Sequence, residues 1–380
     1  MRRLRIEHAH PIVLHPDIHQ LSGSSMEVLD RFEYYASNFI ANGGKGKLVI
    51  FLNCTEDAYQ QLLARKYSKL LIFRIGDSGT SIAIYVFKAI QIIHKQKLRP
   101  SVLIAGDLKR GLIASIFLKA LSGFRLRNQA SIHGIPFGFR HEESKKIIRF
   151  IPWVYLLVSL RFVDSIRIVS MHLQELMQES FKIRDSKLFM APIPVIRKPY
   201  QLDKSSKPIN IGIVGRLHPE RGIPELLRIL NTCLRKFPDT RVTFFGSGEL
   251  FGYIDEWRLE NSQFHNIELR GHVSPNKLLE EWPQITHLIS AAPTEGYGLT
   301  VREALLSGSV VIAKTNRGTR ELKNRFVSGI YLYKTEQDAC EMLIQILNRV
   351  DDFTYCSDAH RLQAEIDTSS INLLTNSWIH

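Results

Sequence analysis

Cysteine is scarce in this 380-residue sequence. Its four residues, Cys54, Cys233, Cys340 and Cys356, form no CxxC pair and have no histidine at metal-ligand spacing. That pattern argues against a disulfide framework or a zinc ribbon and leaves four free thiols. Long apolar runs are also missing. No charge-free stretch approaches the roughly 18 residues of a membrane span, and the basic opening MRRLRIEHAHP lacks the apolar region of a signal peptide. A cytoplasmic location is expected. No GxGxxG follows an early strand-like run, since NGGKGKL (42–48) precedes one and has the wrong spacing, so a nicotinamide dehydrogenase is disfavoured. The basic residues are not interleaved with aromatics as a stacking platform requires, and no nucleic-acid partner is expected. Solenoid repeats and low-complexity tracts are absent.

Acidic residues are scarce in one half only. Residues 1–200 hold 30 Lys+Arg against 15 Asp+Glu, or +15, whereas residues 201–380 hold 20 against 22, or −2, so the whole basic excess behind the net charge of +13 lies in the first half. The two halves are therefore expected to meet different partners, the first an anionic one.

What is present is apolar and periodic. Hydrophobic residues make up 44% of the chain, enough at this length for two cores. Short runs rich in Val, Ile and Leu recur with helix-like stretches between them. In the first half they are LVIFLN (48–53), KLLIFRIG (69–76), SVLIAGD (101–107), QASIHG (129–134), SIRIVS (165–170) and KLFMAPIPV (187–195). After the polar, Pro- and Ser-containing YQLDKSSKPIN (200–210), they resume as NIGIVGR (210–216), RVTFFGSG (241–248), NIELRGHV (266–273), THLISAA (286–292), SVVIAK (309–314) and GIYLY (329–333). Continuous rather than alternating apolar runs suit parallel strands buried on both faces. The expected fold class is α/β, two doubly wound Rossmann-like units in series. The boundaries read as residues 1–200 and 201–360, with 361–380 a C-terminal segment returning to the first unit.

Open parallel sheets bind ligands at the carboxyl ends of their strands. In the second half those ends read GRLHPERG, GSGE and PTEGYGLTVRE. Gly296 and Gly298 bracket Tyr297 just before a helical run, which lets backbone approach a ligand while helix-terminal N–H groups face it. Arg216 and Arg221 could clamp a diphosphate beside that terminus. Glu295 and Glu303 flank the cradle and read as hydroxyl-binding carboxylates, the latter placed for a ribose. Singly, each of these features would be an ordinary turn or surface charge. Together they describe a site for a nucleotide-diphosphate sugar.

In order and spacing, GRLHPERG, FFGSGE, RGHVS and EGYGLTVREALLSGSVVIA resemble the donor-binding half of GT-B glycosyltransferases of family 4, whose E-x7-E signature matches Glu295 and Glu303. The likeness covers residues 209–325. It is thinner in the first half, where SIHG (131–134), IVS (168–170) and LSGSSMEVL (21–29) resemble the family's histidine-glycine strand end, pre-linker strand and glycine loop. The resemblance implies two domains facing a central cleft, 1–200 on the acceptor side and 201–360 on the donor side. It further implies a retaining, metal-independent glycosyltransferase with no cofactor beyond its nucleotide-sugar co-substrate, UDP- or GDP-linked. The carried-over catalytic set is His133, Glu295, Arg216 and Arg221. The implied donor site comprises Gly215, Arg216, Arg221, Gly246, Gly248, His272, Val273, Glu295, Gly296, Tyr297, Gly298, Leu299, Thr300 and Glu303. By the same resemblance Arg216 and Arg221 bind the diphosphate, Glu303 the ribose and Glu295 the donor sugar, while the backbone from Tyr297 to Thr300 cradles phosphate and His133 lies near the reaction centre. Gly23 and Ser24 stand in the acceptor-side loop.

Departures from the family pattern are Arg221 in place of lysine, AAPTEG before the acids, NRGTRE (316–321) interrupting a Gly-Gly, and Gly23-Ser24 replacing another. A non-catalytic sugar-nucleotide-binding or scaffold relative is the alternative reading. The basic first half, with ESKKIIRFIPWVYLLVSLRF (143–162) and Arg125, Arg127 and Arg140, suggests an anionic membrane surface and a glycan or lipid-linked acceptor in surface polysaccharide or glycolipid synthesis. The bland reading of 143–162 is a core helix.

Overall fold

A computed structural model describes residues 9–16, 23–77, 79–123, 125–134, 146–196, 198–202, 207–348 and 354–379. The chain divides into two compact units, Met1–Ile196 with Thr368–His380, and Arg197–Asp367. The change of unit falls at Ile196/Arg197 rather than 200/201, and Thr368–His380 counts with the first unit.

The first unit runs β1 (Ala9–His15), α1 (Gly23–Ala41), β2 (Leu48–Asn53), α2 (Glu56–Ala64), β3 (Leu70–Gly76), α3 (Ile82–Lys95), β4 (Arg99–Ala105), α4 (Arg110–Leu121), β5 (Arg127–Ile132), α5 (Lys146–Ser159), β6 (Ser165–Ile168), α6 (Met171–Glu179) and β7 (Leu188–Met190). Its seven strands are parallel in the order β3-β2-β1-β4-β5-β6-β7. The central strand β1 is one that apolar runs did not reveal. It carries Pro11, which cannot donate to a ladder, and its register against β4 shifts between His10 and Pro11, the kind of irregularity that tolerates a proline inside a sheet. One face of the sheet packs on α1 and the last helix through Leu29, Tyr35, Phe39, Leu374 and Trp378. The other packs on α3 and α4 through Tyr85, Ala89, Ala114 and Leu118.

The second unit runs β8 (Asn210–Val214), α7 (Ile223–Leu234), β9 (Arg241–Phe245), α8 (Phe251–Glu260), β10 (Ile267–Leu269), α9 (Pro275–Glu281), β11 (His287–Ser290), α10 (Leu299–Leu306), β12 (Val310–Lys314), α11 (Arg317–Phe326), β13 (Ile330–Tyr333) and α12 (Glu336–Leu347). A final helix, α13 (Ala359–Ile379), follows. The six parallel strands are ordered β10-β9-β8-β11-β12-β13. On α7, Leu226, Leu227, Ile229 and Leu230 are buried, each such side chain contributing about 1.5–3 kcal/mol on leaving water. Side-chain caps start several helices, with reciprocal capping boxes at Asn316/Thr319 and Thr335/Asp338. Strand order reverses between β1 and β4 in one sheet and between β8 and β11 in the other, which makes those the places where ligands settle.

Of the segment 143–162, residues 146–162 become α5 and a following short turn. Leu156 and Leu160 are buried, Ile151 and Val158 are exposed, and the Tyr155 hydroxyl donates to Lys109 O at 2.7 Å. The helix is thus neither wholly core nor wholly surface. No helix among the described residues is long and apolar enough to cross a membrane. Arg140 and Lys145 lie outside the described residues.

Candidate functional site

At the switch point of the second sheet, Gly215, Arg216, Arg221, Ser290, Glu295 and Thr300 line one small cavity. Close backbone packing builds its floor. Gly246 has φ +145°, and a Cβ there would stand 1.8 Å from Gly215 O; at Gly248 it would stand 2.3 Å from Leu217 O. Only glycine lets the loops after β8 and β9 meet this closely, so both residues act through packing. His272 and Val273 follow β10, with His272 exposed, and neither lines the cavity.

Arg221 and Arg216 are held differently. Arg221 is about one-third exposed, and its Nη1 reaches Glu295 Oε2 at 3.4 Å. Its Nε is buried without a hydrogen-bond partner, a donor that an oxyanion would satisfy. Arg216 is 63% exposed and bonds Glu220 Oε1 at 2.5 Å. Glu220 was not singled out from sequence, although its i,i+4 spacing from Arg216 was there to be read.

The loop before α10 is wrapped around Glu295. Glu295 Oε1 accepts from Gly296 N at 3.1 Å and from Gly298 N at 3.0 Å. Two of the N–H groups expected to face a ligand are thus turned onto this carboxylate. Gly298 has φ +74° and begins α10 with no side-chain cap. The first N–H returned within the helix runs from Arg302 to Gly298 O, and Thr300 in the first turn lines the cavity. Glu303 is half-buried one turn further on, on the same face as Leu299.

Two supports escaped the sequence reading. Gly318, the second residue of α11, lies so close beneath Glu295 that a Cβ would stand 2.0 Å from Glu295 O; its neighbour Arg317 is exposed. Arg302, 5% exposed, stacks on the Tyr297 ring at 4.1 Å, donates to Tyr297 O at 3.3 Å and to Gln363 Oε1 at 3.0 Å, and so braces the loop from below. An arginine on an otherwise apolar helix face was the available signal.

In the first unit His133 directly follows β5 and is exposed to solvent at the rim of a concavity. Crowding by protein, then the cations Arg167 and Arg31 and the His15 ring, push its pKa well below the usual histidine value. The imidazole is therefore neutral at pH 7. Gly23 and Ser24 open α1; residues 17–22 of that loop are outside the described set. Cys54, Cys233, Cys340 and Cys356 are free thiols. Among the described residues no group of three His, Cys, Asp or Glu is arranged to hold a metal ion.

The geometry joins an anion-seeking arginine, a helix terminus and Glu295 at one switch point, with Glu303 one turn along α10. Residues 196–354 match the family "Glycosyl transferases group 1". The group 1 segment coincides with most of the second unit and contains all of its site residues. An uncharacterized glycosyltransferase of Methanocaldococcus jannaschii is 24% identical over 129 residues, 34% of this chain and 33% of that protein. The GtfA subunit of the Streptococcus pneumoniae UDP-N-acetylglucosamine–peptide N-acetylglucosaminyltransferase is 26% identical over 141 residues, 36% of this chain and 27% of that protein. These matches span about a third or less of the curated relatives. Over nearly the whole chain the fold is that of GT-B glycosyltransferases: Anabaena HepE in complex with UDP superposes with a TM-score of 0.71 at 15% identity, covering 97% of this chain and 99% of that one.

Proposed function

We propose that the protein is a retaining, metal-independent glycosyltransferase that moves a sugar from a nucleotide-diphosphate donor to a glycan or lipid-linked acceptor. The observation that carries this reading is the buried, unpartnered Nε of Arg221, a residue that lines one cavity with Thr300 at the uncapped terminus of α10. When the sugar departs, negative charge develops on the diphosphate, and Arg221, Arg216 and the α10 amides meet that charge with fixed donors, usually the largest catalytic term. Diphosphate entering the loop would compete with Glu295 for the Gly296 and Gly298 N–H groups, freeing the carboxylate to turn to a hydroxyl of the donor sugar. Glu303 takes the ribose. Retention and the place of His133 near the reaction centre follow from the family resemblance. A uridine nucleotide is favoured, because a solved neighbour was crystallised with UDP.

Thermal shift against UDP, GDP, ADP and their sugars tests the donor class. A ligand at about 100 times its Kd adds roughly 2.7 kcal/mol, and a chain stabilised by none of them does not bind nucleotide sugars. The non-catalytic alternative is separated by turnover, since it would bind the donor without transferring the sugar.

For the acceptor side the same reading places the first unit on an anionic lipid surface at the cytoplasmic face of a membrane. The outer surface of α3, α4 and α5 exposes Phe87 (60%), Phe117 (55%), Leu121 (66%) and Ile151 (70%). Exposed Lys95, Arg125 and Arg161 lie at the carboxyl ends of these helices, each able to contribute about 1 kcal/mol near anionic lipid. Salt-sensitive sedimentation with phosphatidylserine vesicles is expected; protein left in the supernatant at low salt would point to a soluble acceptor.

A further inference from the structure

The first unit contains a cavity of about 200 Å³ that the donor site does not use. It lies at the switch point of the first sheet, where His15 ends β1 and Gly106 follows β4, and extends along α1 to α13. This volume is below the range of about 300–1,000 Å³ that encloses a drug-sized molecule, and it suits a single small group.

Among the described residues that line it, Arg31, Arg167, His15 and His133 are basic and none is Asp or Glu, while the Asp107 carboxylate stands 4.0 Å from His15 Nδ1. Arg167 is 3% exposed. Its Nε donates to Ala191 O at 2.6 Å, and its Nη2 to Tyr35 Oη at 3.1 Å and Pro192 O at 2.9 Å. Its Nη1 makes no hydrogen bond among the described residues. Carbonyls, a phenol and the Tyr35 ring beneath it at 5.1 Å orient this guanidinium without neutralising it. A buried cation lacking a carboxylate is rare unless an anion visits.

The walls are aromatic and fixed. Trp378, 1% exposed, meets Tyr35 edge-on at 6.3 Å, and its indole N–H donates to Gln129 Oε1 at 3.2 Å. Gln129 in turn donates to Ser377 Oγ at 2.9 Å. The C-terminal helix thus supplies a preformed wall.

We propose that this cavity is the acceptor subsite for an oxyanion, a carboxylate or phosphate carried on a sugar, with Arg31 and Arg167 binding the anion and Tyr35 and Trp378 lying against the ring. The assignment rests on the glycosyltransferase reading and names the class of acceptor: an acidic sugar or sugar phosphate rather than a neutral glycan. Exposed His133 at the rim puts the acceptor beside the residue expected near the reaction centre.

The test is calorimetry on the full chain with glucuronate, glucose 6-phosphate and glucose as probes, under saturating UDP so that the donor clamp is occupied. At least one anion is expected to bind, with neutral glucose about tenfold weaker or worse. Whether the carboxylate or the phosphate binds tells which oxyanion the subsite takes. Arg31→Gln should weaken the anion about tenfold or more while leaving UDP affinity unchanged. Arg167→Gln should abolish anion binding, but because Arg167 ties three groups together its circular dichroism and melting must be recorded alongside; Arg31→Gln keeps the question decidable if that variant misfolds. Equal binding of glucose and the anions, or an unchanged anion affinity in Arg31→Gln, would overturn the subsite. Failure of both anions to bind while UDP binds removes the subsite and spares the transferase reading, whereas failure of UDP removes that reading itself.

Discussion

Replacing Arg221 by alanine deletes the guanidinium that reaches Glu295 at 3.4 Å and carries a buried, unpartnered Nε. The effect on folding should be small. The pair is long, Arg221 is about one-third exposed, and such pairs contribute about 0–1 kcal/mol. Glu295 also keeps its two bonds from Gly296 and Gly298. The effect on nucleotide binding should be much larger. A charge-assisted bond to diphosphate contributes about 1.5–3 kcal/mol, and at 1.4 kcal/mol per decade this is roughly 10- to 150-fold in Kd. Because charge on the leaving group grows toward the transition state, turnover should fall further, by about a hundredfold or more. Arg221→Lys keeps the charge without the fork and should lie between the two. Calorimetry with UDP, paired with a melting curve, separates the terms: the melting temperature should drop by no more than about 4 °C. An Arg221→Ala protein that melts normally and binds UDP with unchanged Kd would refute the assignment of this arginine to the diphosphate.

The remaining predictions divide the site and its scaffold. Glu303→Gln should weaken UDP itself, whereas Glu295→Gln should spare UDP and impair transfer; equal calorimetric losses in the two variants would contradict this division. Gly246→Ala should destabilise the second unit by about 1–3 kcal/mol or more, since its Cβ would strike Gly215 O at φ +145°. Gly252→Ala, in α8 with nothing within 4 Å of the new Cβ, should raise stability by about 0.5–1 kcal/mol, and scanning calorimetry reads both. His133 should stay neutral in an NMR titration to well below pH 6.5, its ordinary value. With the folded pKa depressed, its contribution is intact above pH 6.5 and is lost as pH falls through the folded pKa, so His133→Asn should flatten that acid limb; a His133 midpoint near 6.5 would contradict the crowding argument.

Pattern alone determined the α/β class, because strands buried on both faces must be apolar throughout, and runs such as LVIFLN and SVVIAK became β2 and β12. The motif around Glu295 and Glu303 was likewise legible, since a glycine loop and a helix start are local features that neighbouring residues dictate. Tertiary structure decided what depends on partners distant in the chain. β1 was invisible because Pro11 breaks its pattern, and only the register against β4 accommodates it. Gly318 could not be seen pressed beneath Glu295, because that follows from how α11 closes on the loop. The oxyanion cavity was equally hidden: Arg167 is one residue in an apolar run, and it becomes a buried cation only when α1 and α13 pack over β6 and bring Tyr35 and Trp378 to it. Local sequence sets which backbone forms, but the charge and shape of a site come from side chains that burial brings together across hundreds of residues.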